Sequence, residues 1–191
     1  MVKAARPATR PYHHGNLRRV LLDAAAAEVA ERGPAGLSLR ELARRAGVSH
    51  AAPAHHFGDK RGLLTAVAAE GYELLGATLE RAQEAGGFLE VGLAYLRFAM
   101  DHPAHFDVMF QPDLYDAGDP AVVGARAAST HALYGAASDD FPDADARRVG
   151  IAGWAFVHGF ASLWRSHSFQ GRLGDDPVAA AGDVARVLFR A

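Results

Sequence analysis

One stretch of the chain, GLSLRELARRAGVSHAAPAHHF over residues 36–57, limits what the rest can fold into. Ser38 followed by Glu41 has the form of a capping box, which satisfies two orphan backbone donors reciprocally and starts a helix. Leu39, Leu42, Ala43 and Ala46 then recur at helical spacing and make one apolar face. Gly47 supplies a left-handed residue that ends the helix without steric cost. Val48 gives an apolar plug, and Ser49 is placed to cap a second short helix at once. Two short helices joined through a tight glycine turn have helix-turn-helix geometry, in which the second helix enters a DNA major groove. An ordinary helical hairpin inside a bundle is the competing reading.

The flanking charge bears on that choice. The formal net charge of -2 hides an asymmetry. Up to position 61 there are eleven Lys and Arg against five Asp and Glu, and the remainder holds nine basic against seventeen acidic residues. A basic first third on an acidic body is the footprint of a nucleic-acid module joined to something else. The chain has 191 residues, half of them hydrophobic, so a packed core is available in one large helical domain or two smaller ones. The absence of cysteine excludes disulfides and thiolate metal sites. The opening MVKAARPATRPYHHG lacks the apolar run of a signal peptide, so a soluble cytoplasmic protein is expected, with no membrane partner.

The pattern predicts an all-α chain in three parts: a flexible basic arm over 1–15, a three-helix helix-turn-helix domain over 16–60 and a second helical domain over 61–191. Asn16 is expected to cap a first helix with Leu17, Val20, Leu21, Ala24 and Val29 as its buried stripe, stopped by Gly33 and Pro34. Asp59 caps a long connecting helix that Gly86 and Gly87 break. Further helices are expected over 88–100, 105–110 and 121–137, with a loop over 112–120 and an acidic turn over 139–145. The segment VGIAGWAFVHGFASLW over 149–164 carries no charge, and a helix apolar on every side must be buried on every side. One face would then pack on its own subunit and another on a second copy, with Gly150, Ala152, Gly153, Gly159 and Ala161 allowing close approach. A last amphipathic helix over 175–189, with Val178, Val184, Val187 and Leu188, completes a four-helix homodimer interface.

RELARRAGVS, then a short helix ending in His56-Phe57, then Asp59-Lys60 and Leu63-Leu64, resembles the DNA-binding domain of TetR-family transcriptional regulators over about residues 16–65. Tyr12-His13-His14-Gly15-Asn16-Leu17 and Ser49-His50-Ala51-Ala52-Pro53 resemble one branch of that family. Gly153-Trp154 with Val157-His158-Gly159 resembles the tryptophan–histidine–glycine type of C-terminal domain found there. The resemblance implies a homodimeric regulator whose ligand-binding and dimerisation domain spans 61–191. A small effector held there shifts the connecting helix and releases or alters DNA binding. It also implies a roughly palindromic operator, since a two-fold dimer presents two recognition helices to successive major grooves. Repression is the family default; activation stays open. Two positions depart from the family pattern. Ala54 stands where a tyrosine usually packs against a DNA phosphate, and Pro53 falls at the fourth position of the expected recognition helix, where it removes a bond to the Ser49 carbonyl.

Candidate DNA-binding residues follow from these positions. His50, Ala51, Ala52 and His55 lie on the exposed start of the recognition helix, next to Ser49. His50 would donate to a guanine or phosphate, and Ala51 or Ala52 would meet a thymine methyl. The alternative for each histidine is a plain surface residue. Lys60, with the free N–H groups at the start of the connecting helix, is a phosphate candidate, as are Ser38 and Arg40 at the start of the second helix. Arg44 and Arg45 either contact backbone or solvate the outer face, and solvation is favoured for one of them. His56, kept among the DNA candidates, and Phe57 serve to position the recognition helix. Arg6 and Arg10 either enter a minor groove or belong to a disordered tail.

The candidate effector-binding residues are Tyr95, Phe98, Phe106, Met109, Phe110, Tyr134, Trp154 and His158, aromatic or soft side chains on helices expected to face one another. Plain core is the alternative for most of them, and a satisfied core histidine is the alternative for His158. A cavity there would suit an apolar or aromatic ligand oriented by His158, His105 or His131, with no obvious charged counter-ion. Two other classes of function compete. An enzyme would need more than a loose histidine pair such as His102 and His105, and no activated serine, phosphate loop or carboxylate pair is present, so neither catalysis nor a cofactor is expected. A ligand-independent architectural DNA-binding protein would need a solid C-terminal core.

Overall fold

The computed structural model describes residues 17–141, 145–169 and 171–188. The basic arm with Arg6 and Arg10, the Asn16 cap and the end of the last helix lie outside the described residues. The described chain runs through α1 (Leu17–Gly36), α2 (Leu39–Arg45), α3 (Ala52–Phe57), α4 (Lys60–Ala85), α5 (Phe88–Asp101), α6 (Pro103–Met109), α7 (Pro120–Asp140), α8 (Ala146–Arg165) and α9 (Pro177–Leu188). No strand occurs among the described residues, so the chain is all-α as expected. No described helix is long and apolar enough to cross a membrane.

Aspartates start most of the long helices. Asp59 Oδ1 accepts from Gly62 N at 2.8 Å, Asp119 Oδ1 from Ala121 N at 2.9 Å, Asp145 Oδ1 from Arg148 N at 3.2 Å and Asp176 Oδ1 from Val178 N at 2.8 Å. Each occupies one of the donors that a helix start leaves open. Pro120 and Pro177 follow two of these caps, where a missing N–H costs nothing. The same logic starts α6 at Pro103, ahead of the expected His105, and α7 runs on to Asp140, past the expected Ala137.

Helix α4 is the axis. Its first turns pack on α1 and α3, and its length lies against α5, α6 and α7; α8 covers α5 and α7, and α9 covers α5 and α8. Two expectations need correction. Val20 is 43 % exposed, and the buried arc of α1 is Leu21, Leu22, Ala25, Glu28 and Val29, because α1 packs on α6 as well as on α2 and α4. Helix α8 packs one face on this subunit and leaves another open, as expected, and it is the role of its glycines that differs. Gly150, Gly153, Val157, Phe160 and Ala161 face inward, while Ile151 (43 %) and Leu163 (46 %) face outward with Ala152 and Ala155. Gly150 and Gly153 serve contacts within the subunit: an added Cβ would meet Tyr134 Cδ1 and Phe88 Cζ, each at 2.3 Å. Gly159 has open space above it.

Candidate nucleic-acid interface and effector cavity

The turn between α2 and α3 is built as the local sequence demands. Gly47 has φ 65°, Val48 N donates to Ala43 O at 3.0 Å and Gly47 N to Arg44 O at 3.2 Å, the two bonds of a Schellman ending. Ser38 Oγ accepts from Glu41 N at 3.5 Å, which is half of the expected capping box. The other half comes from elsewhere: Ser38 N donates to Oε1 of Glu28, a fully buried carboxylate on α1, at 3.1 Å. Glu41 instead accepts from Arg44 at 2.6 Å and Arg45 at 3.2 Å, and these bonds hold its carboxyl down at about 2. Arg45 also donates to Glu31 at 2.8 Å. Both arginines are thus held by carboxylates, and Arg40 is the α2 cation with no ion pair among the described residues.

Ser49 does not cap the recognition helix with its side chain. The N-cap is Ala51, without a side-chain bond, and Ala52 N donates to the Ser49 carbonyl at 3.0 Å. Pro53 is the second residue of α3 and is buried, so its missing N–H breaks no helical bond. Ser49, His50 and Ala51 therefore sit in the turn. Ala54, His55 and His56 are exposed along α3, and Ala52 is half-buried. The His55 and His56 rings stack at 5.4 Å. Phe57 is half-buried under the Arg18 guanidinium at 5.2 Å, so Phe57 rather than His56 anchors the helix. Lys60 Nζ donates to Ala35 O at 2.7 Å, tying α4 to the end of α1, and Asp59 already caps the α4 start. The open donors expected around Lys60 are partly filled.

Behind this domain, residues of α4, α5, α6, α7 and α8 line a partly open cavity of about 280 Å³. Five of the expected effector residues line it: Tyr95, Met109, Phe110, Tyr134 and Trp154. The other three do not. Phe98 is buried against the His102 ring at 5.1 Å, and Phe106 stacks on His158 at 5.2 Å behind the cavity wall. His158 is also held edge-on by Phe110 at 4.5 Å. Its Nδ1 lies 2.8 Å from the Tyr95 hydroxyl, which accepts from Trp154 Nε1 at 3.4 Å. An indole N–H only donates, so the Tyr95 oxygen accepts from Trp154 and its own proton is left available to the His158 Nδ1. Burial lowers His158 below the ordinary histidine value, favouring its neutral form, and it raises the Tyr95 hydroxyl far above the tyrosine range. His158 is thus a satisfied histidine supporting the wall. His131 is exposed, and His105 faces Glu70 instead, Nε2 to Oε2 at 3.2 Å.

The sequence reading missed Tyr72, Leu75, Leu79, Pro112, Tyr115, Arg126, Ser129, Thr130 and Leu133 in the lining. Arg126 is a charged residue in that lining, where no obvious charged counter-ion was expected. It shares one face of α7 with Ser129, Thr130 and Leu133, a spacing visible in the sequence. Leu133 also borders a second apolar cavity of about 310 Å³ between α5, α8 and α9, and its side chain is part of the partition.

The profile described as bacterial regulatory proteins, tetR family, matches residues 21–67, and that described as tetracyclin repressor-like, C-terminal domain, matches residues 88–188, over half of the chain. The chain belongs to the TetR family. A TetR-family member of this build is a DNA-binding transcriptional regulator and not an enzyme. A protein of unknown function from Rhodococcus sp. RHA1 is 37 % identical and superposes with a TM-score of 0.77, covering 92 % of this chain and 96 % of its own. The TetR-family regulator PfmR from Thermus thermophilus is 22 % identical with a TM-score of 0.67, covering 90 % of this chain and 97 % of its own. The regulator FadR from Bacillus subtilis, solved with stearoyl-CoA, is 16 % identical with a TM-score of 0.68 over the same shares, 90 % and 97 %. These last two show the fold. No curated protein matches the sequence.

Proposed function

We propose that this TetR-family regulator is a homodimeric repressor that grips a palindromic operator with α3 of each subunit and lets go when a small molecule enters the α4–α8 cavity. One observation carries the release step: α6 bears on both ends of the path. Met109 and Phe110 line the cavity, while His105 on the same short helix binds Glu70 of α4, which holds Arg19 of α1. Helices α1 and α6 also pack directly. A ligand that displaces Met109 and Phe110 therefore moves the helix on which the DNA-binding domain rests, and it shifts the equilibrium by its preference for one arrangement. The exposed apolar face of α8, with Ile151 and Leu163, and Val187 and Leu188 of α9 supply the surface for a two-fold contact. The open cavity speaks against a ligand-independent architectural role.

The test is selection of bound fragments from genomic DNA at two salt concentrations, with the mass of the complex measured. A palindromic site bound by two subunits supports the reading. Binding that is salt-sensitive but blind to sequence would sink it.

A further inference from the structure

We propose that the ligand of the α4–α8 cavity is a compact aromatic or apolar molecule bearing one carboxylate, and that the Arg126 guanidinium receives it. The assignment rests on that cavity being the effector site and adds the chemical class. Arg126 is the one charged residue among those lining the cavity, and no acidic residue lines it. No carboxylate among the described residues pairs with Arg126, whereas Arg19, Arg44, Arg45, Arg165 and Arg186 each hold one. A half-buried arginine on the lining of a mostly apolar cavity, with no carboxylate paired to it among the described residues, is a site for an anion.

The other polar groups narrow the choice. Ser129 Oγ and Thr130 Oγ1 both donate to the Arg126 carbonyl, at 2.9 and 2.8 Å. The Tyr72 and Tyr115 hydroxyls both donate to the Met109 carbonyl, at 3.1 and 2.8 Å. Those four protons are committed, which leaves the Tyr134 hydroxyl as a neutral donor and Arg126 as the charged one that an anionic acceptor would meet. The positive charge of Arg126 reaches the tyrosine end, where it acts to lower the Tyr72 hydroxyl against the larger upward push of burial. Size sets the body: about 280 Å³ is at the small end of ligand cavities. A coenzyme A thioester, like the stearoyl-CoA bound to the Bacillus subtilis regulator, carries several phosphates and a long chain, and this cavity presents one cation.

The experiment titrates the full chain, without DNA, with phenylacetate, 3-phenylpropanoate and 2-naphthoate and with the matching primary amides. Trp154 lines the cavity, so its fluorescence in a Trp164→Phe background reports occupancy. At least one acid is expected to bind about tenfold or more tighter than its amide, the worth of a charge-assisted hydrogen bond. Arg126→Gln should bring the acid down to the amide and leave the amide unchanged, which also shows the variant folded. Arg126→Lys should keep part of the preference. Equal binding of acid and amide, no binding of any acid, or an acid preference that survives Arg126→Gln would overturn the assignment. Operator release is measured separately: an acid that binds through Arg126 yet leaves the operator complex intact defeats the release reading alone.

Discussion

At the scale of single residues, the protein's polar groups divide into those committed to the fold and those left for a partner. Lys60 has one foot in each class, since it ties α4 to Ala35 O and still faces outward near α3. Lys60→Ala is expected to weaken binding to operator and to random DNA alike and to lower the salt slope by about one, measured by titration over a salt series. Selective loss at one operator base would contradict the phosphate role. His158 and His105 are committed residues, both pushed by burial below the ordinary histidine value of 6.5. The unfolded chain takes up those protons first, so stability is full above 6.5 and falls as the pH drops below it. Melting followed from neutral pH down to the upper edge of carboxylate titration, about 4–5, should show this slope. His158→Gln should remove its share of the slope and leave that of His105.

At the scale of elements, local punctuation was enough to place most helix ends. Ser38, Gly47, Asp59 and the Gly86-Gly87 break act on backbone groups only a few residues away, and each does in the fold what its residue type implies. Where a distant group intervened, the local reading failed. Glu28 reached the Ser38 amide before Glu41 did, because Glu41 is drawn off by two arginines on its own helix. Glu28→Ala is therefore expected to cost about 2–3 kcal/mol, for a buried donor left unmet, against about 1 kcal/mol for Ser38→Ala. Urea unfolding with unchanged m-values would check the ranking. The start of α3 moved for a different reason. Proline loses nothing in the first turn, so Pro53 sets the helix start at Ala52 and leaves Ser49 in the turn.

At the scale of the whole molecule, the exposed α8 surface is the place where assembly is tested. Ile151 and Leu163 are exposed on a helix whose opposite side is fully packed, so a charge there should spare the fold and break a dimer. Ile151→Asp with Leu163→Asp is expected to run as a monomer by light scattering, keep its helical circular dichroism and lose most of its operator affinity. An unchanged dimer would remove α8 from the interface. The aromatic lining of the cavity was partly legible because its residues recur on helical faces. Phe98 and Phe106 were included and Tyr72 and Tyr115 left out because periodicity marks an inward face without saying whether it meets a neighbour or a void.

By itself the sequence determined the all-helical class, the helix-turn-helix and the basic first third, since each depends on spacing and composition within a few turns of chain. Tertiary structure alone decided that Glu28 completes the α2 cap, that one face of α8 stays open and that Arg126 shares the lining of one cavity with Tyr72 and Tyr115. Those pairings join positions far apart along the chain, and only the packing of α1, α6 and α7 around α4 brings them together.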